Sequence, residues 1–163
     1  VMGGAGFGGG NVTAAAEFNI WQDGEAAKIV LEAGLENLML VGWDACLGES
    51  MLTPDDIRRI RTGSSLGKFV IEINRVLMGL NRERFGEDCL DMADPAAMAA
   101  ALYPDCIKEC GKYWCEADVS PGPGYGNVLI DRYGFSGKEP NVWICSALRP
   151  DRYKEYIFRT LGV

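Results

Sequence analysis

Two spacings of apolar residues alternate along this chain. Behind an acidic start, Ala26, Ile29, Val30 and Ala33 recur at helical intervals and the segment closes on a glycine, which predicts a helix over 23–34. Leu38 to Val41 is an unbroken apolar run between Asn37 and Gly42, the pattern of a strand buried on both faces in a parallel sheet. Thr53-Pro-Asp-Asp places a capping hydroxyl ahead of a proline and opens a short helix through Arg61. Ser64-Ser65 opens a longer one, whose stripe of Leu66, Phe69, Val70, Ile73, Val76, Leu77 and Leu80 is expected to lie in the core or a subunit contact. Asp94, before Pro95, reads as the N-cap of an alanine-rich helix ending at Pro104. Residues 106–116, 128–130 and 142–145 read as strands, and 151–161 as the final helix. Strands alternating with helices predict an α/β fold, a partial, open, mostly parallel sheet flanked by helices. One domain spans 1–163, because the Gly/Pro stretch from Ser120 to Gly126 has strand-like pattern on both sides and reads as a loop.

Composition removes several classes of function. With 16 basic against 23 acidic residues the net charge is -7, and no basic cluster exceeds Arg58-Arg59-Ile60-Arg61, so a nucleic-acid partner is not expected. No apolar run approaches the roughly 18 residues of a membrane span, and the start lacks the charged-then-apolar pattern of a secretory signal. A soluble, cytoplasmic protein is the expectation. Six cysteines without a C-x-x-C pair, in a chain with no histidine, read as free buried thiols in a reducing compartment rather than a zinc site.

The candidate chemistry lies just after the glycine-rich run Gly3 to Gly10. Asn11, Glu17 and Asn19 put two amides and a carboxylate within nine residues. If the segment is extended, Glu17 and Asn19 share a face while Phe18 points the other way. A carboxylate only accepts and an amide both donates and accepts, so together they suit a polyol such as ribose. The competing reading makes Asn11 and Asn19 turn residues and leaves Glu17 solvated. Gly4-Ala-Gly6-Phe-Gly-Gly9 also has the form of a dinucleotide-binding fingerprint, but only Val1 and Met2 precede it where a full strand is required. Asp44, at a strand end, is expected to satisfy backbone groups.

Several words in one order resemble the inosine-uridine preferring nucleoside hydrolase family. They are Met2-Gly-Gly, Gly10-Asn-Val-Thr, Ala16-Glu-Phe-Asn-Ile, Asp23-Gly-Glu-Ala-Ala-Lys-Ile-Val, Leu38-Met-Leu-Val-Gly-Trp-Asp, Asp94-Pro, Gly126-Asn-Val-Leu-Ile-Asp-Arg, Pro140-Asn-Val-Trp-Ile and Asp151-Arg-Tyr-Lys-Glu-Tyr-Ile. The resemblance runs over nearly the whole chain but covers only the second half of the family's pattern. The aspartate cluster with which members begin, and which binds calcium, has no counterpart here.

The resemblance implies an enzyme that hydrolyses the N-glycosidic bond of ribonucleosides to base and ribose through a calcium-activated water. It implies that Asn11, Glu17 and Asn19 hold the sugar hydroxyls and that Met2 and Phe18 close the apolar side of the pocket. Asp94 is implied to ligate Ca2+ and touch the sugar, with the other ligands supplied by the absent half. Ala93 stands where many members carry a histidine that protonates the departing base, which bears on substrate range. The chain alone is therefore expected to be inactive, as a fragment or a natural short form, and to form a homo-oligomer or pair with an N-terminal half. The alternative is a non-catalytic remnant that serves as a sugar-binding or assembly module.

Overall fold

A four-stranded sheet in the order β1-β4-β2-β3 divides the molecule, where β1 is Met39–Val41, β2 Ile107–Ala117, β3 Val128–Asp131 and β4 Val142–Leu148. The computed structural model describes all 163 residues. Val1 to Gly3 continue the sheet outside β1: Val41 donates its N–H to Val1 O (2.9 Å), Gly3 donates to Val41 O (3.3 Å), and Met2 pairs with Val41 in the parallel sense.

The α/β class is as expected, but the strand sense is mixed rather than mostly parallel. β1 runs parallel to β4, with Leu40 opposite Ile144, whereas β2 is antiparallel to both β4 and β3. The reason lies in the connections. Helices carry the chain from β1 to the far strands, while only loop separates β2 from β3, and two adjacent parallel strands need a long crossover.

Side chains alternate across the sheet, so neighbouring residues enter different cores. Leu40 and Ile144 face a smaller cluster with Ile20, Leu31, Cys115 and Val128, under α1 (Phe18–Gln22) and α2 (Gly24–Glu32). Val41 and Cys145 face a larger one with Ile57, Ile60, Ile71, Ala96, Tyr153 and Ile157. That side is built from α3 (Pro54–Gly63), α4 (Ser65–Ile73), α5 (Arg75–Phe85), α6 (Ala93–Leu102) and α7 (Pro150–Leu161).

Local chemistry explains most of the helix ends. Thr53 and Asp56 form a reciprocal capping box on α3, with Pro54 in its first turn. Asp23 caps α2 through its carboxylate to Ala26 N (2.9 Å). Gly86 ends α5 at φ 83°, in the left-handed region where a side chain is disfavoured.

Two sequence expectations are corrected here and one is narrowed. The single long helix after Ser64 breaks at Asn74, whose side-chain Nδ2 donates to Val70 O (2.9 Å) while its backbone N–H turns to Glu72 O. The amide side chain thus competes with the helical ladder for the carbonyl four residues back. Most of the apolar stripe lies outside this chain's core: Leu66, Phe69, Ile73, Val76 and Leu80 are all at least half exposed, while Val70 and Leu77 pack against the larger cluster beside the buried Gly67, Ile71 and Met78, which leaves a subunit contact as the reading for the exposed row. The third concerns Asp94, which lies in the first turn of α6 rather than capping it. Met92 precedes the helix and accepts from Ala96 N (2.9 Å).

No helix is long and apolar enough to cross a membrane. All six cysteines are free, and all but Cys110 are buried.

Candidate functional site

Residues 11–19 are not extended. Glu17 is the N-cap of α1: Oε1 accepts from Asn19 N (2.8 Å) and Oε2 from Ile20 N (3.3 Å), while Trp21 N closes the first turn on Glu17 O (2.9 Å). Oε2 also accepts from Gly4 N (3.1 Å), which fastens the glycine loop to the helix start. The reason for the departure is a buried carboxylate, 2% exposed, with three backbone donors converging on it. Helix formation supplies two of them.

This turn brings together what the extended reading had spread along a strand. Met2, Asn11, Glu17, Phe18, Asn19 and Asp94 all line one cleft of about 410 Å³, within the range of small-molecule sites. It lies between the start of α1, the Val1 to Gly3 segment beside β1 and the start of α6, and Trp43 and Asp91 form part of its wall. Tyr153 of α7 fixes the α6 side by donating its buried hydroxyl to Met92 O (3.0 Å).

Each polar group in the cleft has definite capacity left. Asn11 Oδ1 accepts from Phe18 N (2.8 Å), leaving its two amide hydrogens free. Asn19 Nδ2 leans on the Met2 sulfur (3.0 Å), leaving its carbonyl oxygen and a second hydrogen. Glu17 has one Oε1 position left beyond its three amide partners. Asp94 is exposed and makes no hydrogen bond or ion pair within the chain.

Sequence reasoning missed Asp91. It is buried and accepts from Trp43 Nε1 (2.7 Å) and Asn81 Nδ2 (2.7 Å), and no Lys or Arg forms an ion pair with it. The cleft therefore holds three carboxylates, Glu17, Asp91 and Asp94, and no Lys or Arg lines it. Such a wall favours a cation or an electron-poor centre over an anion.

A metal ion finds an incomplete donor set. No group of three or more His, Cys, Asp or Glu side chains is placed to hold one. The Glu17 and Asp91 oxygens already accept N–H donors, so Asp94 is the one carboxylate with both oxygens uncommitted, against the six to eight oxygens calcium takes. These residues by themselves do not make a calcium site.

Asp44 stands outside the cleft and does what its position suggested. Its Oδ2 accepts from Phe7 N (2.9 Å), while Oδ1 is buried without a partner. Burial holds its carboxyl above the usual range, against the pull of that amide. Gly6, at φ 67°, lies directly over the Asp44 carboxylate, which leaves no room for a Cβ. The dinucleotide reading fails on the same loop. The chain folds back through Asn11, Val12 and Thr13 N–H groups onto Ala16 O, and no helix opens until Phe18.

A larger groove of about 700 Å³ runs between residues 35–41 and Ala97–Ala101. Eight of its ten lining residues are apolar, with Glu36 and Asn37 the exceptions, whereas the smaller cleft gathers three carboxylates and three amides, so the smaller cleft is the candidate site.

Comparison with known proteins points to the same region of protein space. A family model described as inosine-uridine preferring nucleoside hydrolase matches residues 1–155. The pyrimidine-specific ribonucleoside hydrolase RihB of Escherichia coli (strain K12 / DH10B) is 36% identical over 143 residues, covering 87% of this chain and 44% of that protein. Among solved structures, a plant nucleoside hydrolase superposes with a TM-score of 0.87 at 24% identity, covering 99% of this chain and 52% of its own. A purine-preferring ribonucleoside hydrolase from Gardnerella vaginalis gives 0.82 at 24% identity, covering 99% of this chain and 50% of its own. The chain spans about half the length of the relatives it matches.

Proposed function

The chain belongs to the inosine-uridine preferring nucleoside hydrolase family, and on that premise we propose that its cleft grips the ribose of a ribonucleoside in a protein that hydrolyses the N-glycosidic bond to base and ribose. The observation that carries the reading is the convergence of Asn11, Glu17 and Asn19, each with hydrogen-bonding capacity to spare, beside an unpaired Asp94. Free amide hydrogens on Asn11 and Asn19 donate to hydroxyl oxygens, and the Asn19 carbonyl and Glu17 Oε1 accept from hydroxyl hydrogens. Met2 and Phe18 cover the apolar edge of the ring. Cleavage of a C–N glycosidic bond builds positive charge on the sugar, and a carboxylate-bearing wall that no Lys or Arg lines stabilises that charge more than the neutral ground state.

Asp94 is proposed as one ligand of a Ca2+ ion whose remaining oxygens come from outside these 163 residues. Ala93, beside it, has no proton to give a departing base, so activation of the leaving group is assigned to other groups or to the base itself. A cytoplasmic setting is the reading of the free thiols. Association with a second copy, or with the other half of the fold, is the reading of the exposed apolar row on α4 and α5.

The second reading, a module that binds sugar without cleaving it, draws on the incomplete metal donor set. Ribose release from uridine and inosine in a calcium titration separates the two. The proposal expects no release from the 163-residue chain alone and calcium-dependent release from a chain that joins it to the N-terminal portion of the Escherichia coli relative, abolished by Asp94→Asn. Release that survives Asp94→Asn contradicts the assignment. A joined chain that folds and binds calcium but stays inert favours the sugar-binding module.

A further inference from the structure

Outside the cleft, two thiols face each other across the sheet. Cys110 of β2 and Cys145 of β4 are register partners in the antiparallel pair. Which kind of pair they form follows from the neighbouring strand. Trp143 donates its N–H to Leu38 O (2.9 Å) on the β1 side, so its backbone groups face β1 and not β2. Two residues on, those of Cys145 do the same. The Cys110 and Cys145 pair is therefore non-hydrogen-bonded, the arrangement in which opposed Cα atoms approach to about 4.5 Å and both side chains leave one face. A disulfide takes Cα separations of about 4.4 to 6.8 Å.

The two thiols differ in access. Cys110 is exposed and Cys145 is fully buried, and both are reduced. Burial raises both thiols above the ordinary value, Cys145 to about 12, and the nearby Cys110 and Cys106 sulfurs contribute to the latter.

We propose that Cys110 and Cys145 are a redox-active pair that closes a cross-strand disulfide between β2 and β4 by exchange with a low-molecular-weight disulfide. In the first step the Cys110 thiolate, having lost its proton to solvent, attacks one sulfur of the small disulfide. The S–S bond breaks, a mixed disulfide forms and one small thiolate leaves. The Cys145 thiol then gives up its proton, attacks the Cys110 sulfur and expels the second small thiolate. Two protein thiols are oxidised and one small disulfide is reduced to two thiols. The buried thiol makes the second step slow, and the rate of the first rises about tenfold per pH unit below the Cys110 pKa, following the thiolate fraction. The inference is independent of the nucleoside reading.

The test is incubation of the folded chain with oxidised glutathione at mildly alkaline pH, followed by alkylation in denaturant and peptide mapping. The proposal expects alkylatable thiols to fall from six to four and one cross-linked peptide joining Cys110 to Cys145. Cys145→Ala, folded by circular dichroism, should stop at a glutathione adduct on Cys110, and Cys110→Ser should keep its remaining thiols reduced. Six surviving thiols, a persistent adduct in the unsubstituted chain, or a link to Cys106 would each overturn it.

Discussion

Glu17 carries two duties in one side chain, a cap for α1 and a wall of the cleft. Because it is 2% exposed and holds three backbone N–H groups, Glu17→Ala should strand those donors and destabilise the fold by about 1–3 kcal/mol, measured by urea unfolding. An unchanged midpoint would remove the cap from the account. Asp131 contributes one part of the acid dependence, beside Asp56 and Glu116, whose carboxyls are also held below the ordinary range. Ser136, through its amide first and then its side chain, with Phe135 N–H behind it, holds the Asp131 carboxyl down to about 2. A carboxyl depressed in the folded state adds stability above the ordinary carboxylate pKa near 3.8 and loses it as pH falls through about 2. Thermal midpoints should therefore drop across that acid window in the parent chain and drop less in Asp131→Asn. At this scale the sequence was a good guide to which residues meet and a poor one to how. All six singled-out residues line the cleft, yet Glu17 caps a helix and Asp94 caps none. Asp91 went unseen because its partners, Trp43 and Asn81, lie 48 and 10 residues away, and no local pattern announces such a contact.

At the scale of elements, caps and apolar runs placed the strands and most helices, since those signals are local: Thr53 with Asp56, Asp23, the run Leu38–Val41. Strand sense was not legible in the same way, because it depends on whether a crossover or a loop joins the strands. Nor was the break at Asn74, where one side-chain hydrogen bond to Val70 O outweighs a continuous apolar stripe. The stripe's exposure leads to a direct comparison. Phe69→Gln, at 59% exposed, should change stability by no more than about 0.5 kcal/mol. Ile71→Ala, two positions away and fully buried, should cost about 2–5 kcal/mol. Equal losses in chemical denaturation would mean that the helix faces are assigned the wrong way round. Sedimentation of the Phe69 variant would show at the same time whether the exposed row drives association.

The whole molecule is a sheet with unlike sides, and the cleft forms where the Val1 to Gly3 segment, the α1 cap and the α6 start converge. Family membership accounts for the architecture, while the donors left free in the cleft are what support the proposed sugar. The proposed Ca2+ ligand set is the part that these residues cannot complete by themselves. The central claim is that this cleft, and not the larger apolar groove, receives ribose. Backbone amide shifts during a ribose titration in calcium-containing buffer test it most directly. Saturable shifts at Asn11, Phe18, Asn19 and Asp94, with Leu35 to Met39 and Ala97 to Ala101 unmoved, are the predicted result; shifts confined to the apolar groove, or none that saturate, would contradict it.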